Sequence, residues 1–179
     1  MLTIIPEDVI RIADDIRTMR IRGAGRIARA AALALKIAAE KYPGRKELSD
    51  FTRYIDEVAK LLLSTRPTAV SLPNAVMYVT SRLKRAKLST FDEAVSLVIR
   101  YSNEFIEYSK TATEKIGLIG SRRIQDGDVI LTHCNSSAAV SVIIHAFKQG
   151  KNIRVYATET RPKFQGHITA KALLSEGID

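Results

Sequence analysis

The chain of 179 residues is 46% hydrophobic, enough for one substantial core, and its net charge of +9 predicts an anionic partner, either nucleic acid or a phosphorylated small molecule. No stretch reaches the about 20 uninterrupted apolar residues of a membrane span, and Asp14 and Asp15 stand where a signal peptide would be apolar, so we expect a cytoplasmic protein with no membrane partner. The single cysteine and three scattered histidines exclude intramolecular disulfides and predict no metal site.

Apolar residues recur at helical spacing through the first two thirds of the chain, which predicts five helices. Thr90 and Glu93 have the spacing of a capping box, so they mark the start of the fifth and longest helix. The other predicted markers are a start at Pro6, a second helix over Ala24 to Glu40, a stop at Pro67, a fourth start at Pro73 and a last helix ending near Ile119.

After Gly127 the apolar period changes from helical to strand-like. We predict a strand near residues 128–132, a helix over 138–149, a second strand near 153–157 and a helix over 167–175. Strand, helix and strand in succession form a crossover unit with a parallel sheet, so the fold class is α/β. Two parallel strands are a poor independent unit, so we expect the remaining strands in a continuation of the chain.

The strand end at His133 to Ser137 is the first candidate site. Ligands of open parallel sheets bind beyond the carboxyl ends of the strands, and the following helix presents unpaired N–H groups. This field suits a phosphate, and it favours the thiolate of Cys134, which could then transfer a proton. The alternative for Cys134 is a small buried hydrophobic residue, but its position in a polar turn favours a function.

Arginines beside turns form two further candidate sites. After the second strand, Arg161 could hold a phosphate bidentately and Gly166 would let a ligand approach the backbone; the alternative is an ordinary surface loop. Between the first two helices, Arg22 and Gly23 stand at a helix N-terminus, which also suits phosphate. Arg66 is a lesser candidate, because a lone arginine at a helix end is more often a cap or a surface charge.

Gly23, Gly25 and Ala28 also satisfy a loose dinucleotide-binding pattern. That pattern normally follows a strand and needs an acidic residue downstream in a crossover unit, whereas a helical pattern precedes it here. We therefore expect no dinucleotide at this turn.

Four stretches resemble a known superfamily in their order and spacing. They are RIRGAGRIARAAA at 20–32, RPTAVSLPNAV at 66–76, GDVILTHCNSSAA at 127–139 and ATETRPKFQGHITAKAL at 157–173. The chain resembles the sugar-phosphate isomerases and translation initiation factor 2B-like proteins, and looks closest to the archaeal ribose 1,5-bisphosphate isomerases. Methylthioribose-1-phosphate isomerases and the regulatory subunits of initiation factor 2B are more distant.

The resemblance implies an N-terminal helical domain over residues 1–120 and the first part of a Rossmann-like domain over 121–179. It also implies assembly into a homo-oligomer, a dimer or a hexamer. It places the catalytic cysteine at Cys134. The phosphate or sugar contacts that it implies are Arg22, Gly23, Arg66, Asn135, Ser136, Arg161, Gln165 and Gly166.

Family members move a proton or hydride between C1 and C2 of a sugar phosphorylated at C1, and the resemblance implies that neither a metal, a nicotinamide nor another cofactor is needed. A cysteine and an aspartate act as the acid and base pair. The aspartate belongs to a later motif, and the sequence reaches Asp179 before that motif, so the resemblance implies an inactive chain unless it is part of a longer protein.

The resemblance favours an aldose–ketose isomerase that converts ribose 1,5-bisphosphate to ribulose 1,5-bisphosphate in nucleoside monophosphate degradation, with AMP as a candidate activator. The alternative is a non-catalytic regulatory subunit like those of initiation factor 2B, which would not need a thiol at Cys134. A nucleic-acid-binding module would need aromatic residues to stack bases, and the chain has no tryptophan and only five phenylalanines.

Overall fold

The first five helices share one apolar core in a computed structural model that describes residues 4–179. Their bounds agree with the predicted ones to within two residues at the markers named above, and the fourth helix begins at Ser71 rather than Pro73. The five helices are α1 (Glu7–Arg17), α2 (Ala24–Glu40), α3 (Leu48–Thr65), α4 (Ser71–Arg85) and α5 (Phe91–Gly120).

Helix α2 lies at the centre of this core and packs against α1, α3 and α4. Its buried face consists largely of alanines, including Ala31, Ala34 and Ala38, with Leu35 between them. Small side chains let helix axes approach closely, so a single helix can contact three others.

The predicted capping box of α5 is confirmed. Thr90 Oγ1 accepts a hydrogen bond from the Glu93 N–H at 3.2 Å, and Glu93 Oε2 accepts one in return from the Thr90 N–H at 3.2 Å. Glu93 Oε2 also accepts from the Ser89 N–H, and these backbone donors lower the pKa of Glu93. The box satisfies N–H groups that a helix start leaves without partners.

An aromatic cluster lies beside α3 and the start of α5, formed by Tyr42, Phe51, Tyr54 and Phe91. Tyr54 is 2% exposed, and its hydroxyl has no hydrogen-bond partner among residues 4–179. Burial raises the pKa of Tyr54 to about 12.

A small parallel sheet follows a 3-10 turn at Ser121–Arg123. Strand β1 (Val129–His133) pairs in parallel with β2 (Arg154–Thr158), and the connecting helix is α6 (Ser137–Lys148). The last helix, α7 (Gly166–Leu174), begins and ends one residue earlier than predicted. The predicted α/β fold class is confirmed.

One face of this sheet is covered and the other is exposed. Ile130 and Val155 pack into a core with residues of α6 and α7, such as Ile143 and Leu173. The opposite face presents three large apolar side chains to solvent, at exposed fractions between 56% and 73%. They are Val129, Leu131 and Tyr156.

The last turns of α5 approach α6 closely at two glycines. A Cβ atom on Gly117 would lie 2.1 Å from Ser141 Oγ, and one on Gly120 would lie 2.6 Å from a Val142 methyl group. Larger residues at these two positions would push the helices apart.

The chain divides into two compact units, one ending at Ser109 and one running from Lys110 to Asp179, so the division falls inside α5. The domain limits 1–120 and 121–179 stay a prediction. Within residues 4–179, no helix combines the length and the hydrophobicity that crossing a membrane requires.

Candidate functional site

Two polar turns start side by side at the carboxyl end of the sheet. His133, the last residue of β1, is paired in register with Thr158, the last residue of β2. Their side chains also meet, because His133 Nδ1 lies 2.6 Å from Thr158 Oγ1. The turn that carries Cys134 and the loop that carries Arg161 therefore leave neighbouring points of one sheet edge, which is where parallel sheets bind ligands.

The first turn holds Cys134 in an unusual backbone conformation. Its φ is 63°, in the left-handed region that residues with a side chain rarely adopt. The thiol is free and half-buried. Thr169 of α7 donates a hydrogen bond from Oγ1 to the Cys134 carbonyl oxygen at 2.9 Å. Thr169 Oγ1 also lies 3.4 Å from Asn135 Oδ1. A buried threonine thus fixes both polar residues of the turn.

Ser136 caps helix α6, since its Oγ accepts a hydrogen bond from the Ala139 N–H at 3.3 Å. The first turn of α6 carries no acidic side chain. The helix dipole and the remaining N–H groups at its start therefore favour an anion next to Cys134. Of the two predicted contacts here, Asn135 is half-buried beside the cysteine and Ser136 is exposed.

The second turn is a loop between β2 and α7 that contains Arg161, Gln165 and Gly166. Arg161 is exposed and forms no ion pair with any of residues 4–179. Gln165 is the N-cap residue of α7, and Gly166 is its first residue. A Cβ atom on Gly166 would lie 2.4 Å from the Thr158 carbonyl oxygen, so only glycine fits there.

The Gly166 N–H has an acceptor within the protein, the side chain of Glu159. Glu159 Oε1 lies 3.3 Å from it and 2.5 Å from the Thr160 N–H. Glu159 Oε2 lies 2.8 Å from His167 Nε2. One carboxylate therefore contacts both ends of the loop.

In the first unit, Gly23 is the N-cap of α2 with a φ of 86°, and Arg22 precedes it. The loose glycine pattern here follows α1 and a turn, as predicted, and not a strand. Arg20 is neutralised, because its Nε lies 2.5 Å from Asp15 Oδ1 and its Nη2 lies 2.6 Å from Asp14 Oδ2. Arg22 has no such partner in the described part of the chain, so its charge is available to an anion.

Arg66 is the C-cap residue of α3. Its guanidinium forms no ion pair within residues 4–179, and the side chain is half-buried. A C-cap position suits a cation because of the helix dipole, so the cap interpretation and the anion-site interpretation both remain compatible with its place.

Two positions with evident roles in the second unit were not predicted as site residues. The sequence alone does not indicate the role of Thr169, because threonines are common near the start of helices. Glu159 lies within a stretch that was singled out, but its contacts depend on how the loop folds.

An open depression of about 330 Å³ lies along α6, lined by Asn135, Ser137, Val140, Ser141, Ile144, His145 and Ala172. Cys134 and the arginines are absent from its lining, and much of its surface is apolar. It does not suit a doubly phosphorylated ligand. Among the described residues, no group of three or more His, Cys, Asp or Glu side chains could hold a metal ion.

Comparison with known proteins places this chain among related sequences. Residues 20–179 match the model of the Initiation factor 2 subunit family. The chain is 53% identical over 180 residues to the ribose 1,5-bisphosphate isomerase of Pyrococcus furiosus, covering 99% of this chain and 55% of that protein. It is 51% identical over 174 residues to the protein of that name from Thermococcus kodakarensis, covering 96% of this chain and 54% of the relative.

Among solved structures, the Pyrococcus horikoshii translation initiation factor eIF-2B is similar with a TM-score of 0.82 and 28% identity. That match covers 97% of this chain and 58% of the other. The chain thus spans about half the length of the curated relatives it matches.

Proposed function

Because the chain belongs to the Initiation factor 2 subunit family, we propose that it is the part of a sugar-phosphate isomerase that holds the catalytic cysteine. The proposed reaction of the whole protein converts ribose 1,5-bisphosphate to ribulose 1,5-bisphosphate. This is an aldose–ketose isomerisation, in which a hydrogen moves from C2 to C1 and both phosphates stay in place. No external oxidant is needed, since C1 is reduced as C2 is oxidised.

One observation carries the proposal: a free thiol stands at the end of a parallel strand in a chain that is more than half identical to enzymes named for this reaction. Cys134 lies in a left-handed turn just before the N-terminus of α6. A cysteine side chain can donate or accept a proton in general acid–base catalysis. We assign Cys134 the role of proton acceptor or donor at the reacting carbons.

The remaining predicted residues would bind phosphates. A bisphosphate carries two dianionic groups, and the described residues include several cationic or N–H-rich points that are not neutralised by an acidic side chain. In the second unit these are Arg161, Gln165 and the start of α6, beside Asn135 and Ser136. In the first unit they are Arg22 with Gly23, and Arg66. Gly166 contributes by letting the loop pass against β2 rather than by a free N–H.

Turnover of ribose 1,5-bisphosphate by the full encoded protein tests this proposal. We would follow formation of the ketose with the wild-type protein and with Cys134→Ser and Cys134→Ala. The expected result is turnover by the wild type and a loss of at least about 10³-fold in both variants, as when a proton-transfer group is removed.

The matched control is Ser141→Ala on α6, which removes a hydroxyl from the same unit away from the turn. Circular dichroism would establish that all four proteins fold. Turnover that survives in Cys134→Ala would refute the assigned role. A folded wild-type protein without turnover would refute the isomerase.

A second candidate function is a non-catalytic subunit like those of the initiation factor. The observation that favours it is the structural similarity to the Pyrococcus horikoshii factor. The higher identity to the enzymes and the thiol at Cys134 favour catalysis. Absence of turnover combined with stable binding to a translation factor would favour this second function.

We also propose that the whole protein is a cytoplasmic homo-oligomer, a dimer or a hexamer, and that AMP activates it. The exposed apolar face of the sheet supports packing against further protein, because Leu131 and Val129 would otherwise stay in water. Light scattering coupled to size exclusion would give the oligomeric state. A titration of turnover against AMP would test activation.

A further inference from the structure

Glu159 is the residue on which this inference rests, and it follows directly after β2. Its side chain has an exposed fraction of 33%, and within residues 4–179 its carboxylate forms no ion pair with a lysine or an arginine. Instead, one carboxylate oxygen accepts hydrogen bonds from the Thr160 and Gly166 N–H groups. These two residues bracket the loop, so the carboxylate ties its beginning to its end.

The two ends of the loop, Thr160 and Gly166, lie close together. Gly166 passes so near to β2 that a Cβ atom would lie 2.4 Å from the Thr158 carbonyl oxygen. Within the loop, the Phe164 N–H donates to the Thr160 carbonyl oxygen at 2.7 Å, and Phe164 has a φ of 49°. The loop 160–165 is therefore held by hydrogen bonds that its own residues and Glu159 make.

The loop carries two cationic side chains close to Glu159. Arg161 and Lys163 are exposed and form no ion pair within residues 4–179. A carboxylate two residues from Arg161 would ordinarily neutralise it and repel a phosphate. Here Oε1 of Glu159 accepts from two backbone N–H groups and Oε2 lies beside His167, so neither oxygen is paired with Arg161 or Lys163.

We propose that Glu159 is a positioning residue for phosphate binding: it closes the loop 160–165 so that Arg161 and Gln165 are held ready for the ligand. This rests on the proposed function. Glu159 does not contact the reacting atoms in this scheme and takes no part in proton transfer. Its effect reaches the substrate only through the backbone that it holds.

The test compares Glu159→Ala with Glu159→Gln in the full encoded protein. The glutamine keeps a side-chain oxygen that can accept the two N–H groups, whereas the alanine removes the acceptor. A lost hydrogen bond to a charged group corresponds to about a tenfold to hundredfold weakening. We expect KM for ribose 1,5-bisphosphate to rise by about that factor in Glu159→Ala with kcat nearly unchanged, and Glu159→Gln to restore most of the loss.

The matched control is His167→Gln, which removes the other contact of the carboxylate. His167 has an exposed side chain, so this contact should matter little, and KM should stay within about twofold of the wild type. An equal rise of KM in His167→Gln would mean that the contact with the imidazole, and not loop closure, is responsible, and would overturn the proposal.

A second measurement is independent of turnover. Hydrogen exchange at the Thr160 and Gly166 amides should accelerate in Glu159→Ala and remain slow in Glu159→Gln. Unchanged exchange in Glu159→Ala would refute loop closure by this residue. A fall in kcat at constant KM, with a shifted pH profile, would make Glu159 a catalytic group and refute the positioning role. A wild-type protein without turnover would refute the proposed isomerase function. The role of Glu159 would then be tested by the amide exchange rates and by the affinity for inorganic pyrophosphate, both compared between the wild type and Glu159→Ala.

Discussion

Thr169 of α7 donates a hydrogen bond to the carbonyl oxygen of Cys134, with 2.9 Å between the two oxygens. Thr169 is 1% exposed, so this bond is shielded from water. It connects α7, the helix that follows β2, to the turn after β1, and it holds a residue whose φ is 63°. The position of the thiol therefore depends on a residue that follows it by a strand and a helix.

In the full encoded protein, Thr169→Val should lower stability and, under the proposed function, turnover. Valine matches the shape of threonine but leaves the Cys134 carbonyl without its partner, which costs about 1–3 kcal/mol when the group is buried. We expect a lower free energy of unfolding in urea and a reduced kcat. Thr169→Ser keeps the hydroxyl and should restore kcat more fully than stability. Equal values for the valine variant and the wild type would show that the bond is unimportant.

Under the proposed function, Arg22→Ala in the full encoded protein should raise KM for ribose 1,5-bisphosphate by about tenfold or more, because a charge-assisted contact to phosphate would be lost. Arg20→Ala is the matched control, two residues earlier in the same turn. Arg20 is already paired with Asp14 and Asp15, so its removal should leave KM within about twofold. Steady-state kinetics of both variants make the comparison. Similar KM values for the two would contradict the assignment of Arg22.

Gly166→Ala should destabilise the second unit by about 1–3 kcal/mol, since the added methyl would collide with the Thr158 carbonyl oxygen and the Glu159 backbone. Gly25→Ala is the control, and we expect it to raise the free energy of unfolding rather than lower it. Gly25 lies in α2, where the nearest atom to a new Cβ is the movable end of Arg29 at 3.2 Å. Alanine favours the helix there by up to about 1 kcal/mol. Chemical denaturation of the two variants tests both signs.

Tyr54→Phe should change how stability depends on alkaline pH. Burial raises the pKa of Tyr54 to about 12 in the folded protein, above the ordinary value of about 10 in an unfolded chain. A raised pKa means that the neutral hydroxyl contributes stability fully below pH 10, and that this contribution is lost as the pH rises towards 12. Phenylalanine cannot titrate, so this part of the alkaline decline should disappear.

At neutral pH the free energy of unfolding of Tyr54→Phe should equal that of the wild type or exceed it by up to about 1 kcal/mol. The reason is that the Tyr54 hydroxyl has no hydrogen-bond partner in the described residues. Tyr156→Phe, at an exposed position of β2, controls for the loss of a phenol and should change little. Urea unfolding between pH 7 and 11 measures both variants. A clear loss of stability at neutral pH in Tyr54→Phe would indicate a bond that the hydroxyl makes.

The helices and the sheet could be predicted from the sequence because their signals are local. The capping box of α5 needs only Thr90 and Glu93 at the right spacing, and the observed bonds match it. The fourth helix begins before Pro73 because proline fits the first turn of a helix, where its missing N–H costs nothing. Such residues limit a helix boundary to within about one turn rather than fixing it.

The site could be predicted only in part. Polar residues after two parallel strands imply two adjacent turns, and the register of His133 and Thr158 places them side by side. The hydrogen bond from Thr169 to Cys134 joins α7 to the turn after β1, so no local sequence pattern predicts it. Composition likewise cannot tell which arginine of a cluster is neutralised, since the pairing of Arg20 depends on how the turn before α2 folds.

Cys134 is the only cysteine of these 179 residues, and its thiol is free and half-buried. A thiol-selective reagent would therefore label this chain at one place, the turn after β1. A fluorescent or fluorinated tag there would report on occupancy of the turn without any engineered attachment point. The rate of labelling, followed as a phosphate ester is added, would measure protection of the turn directly, before any product is formed.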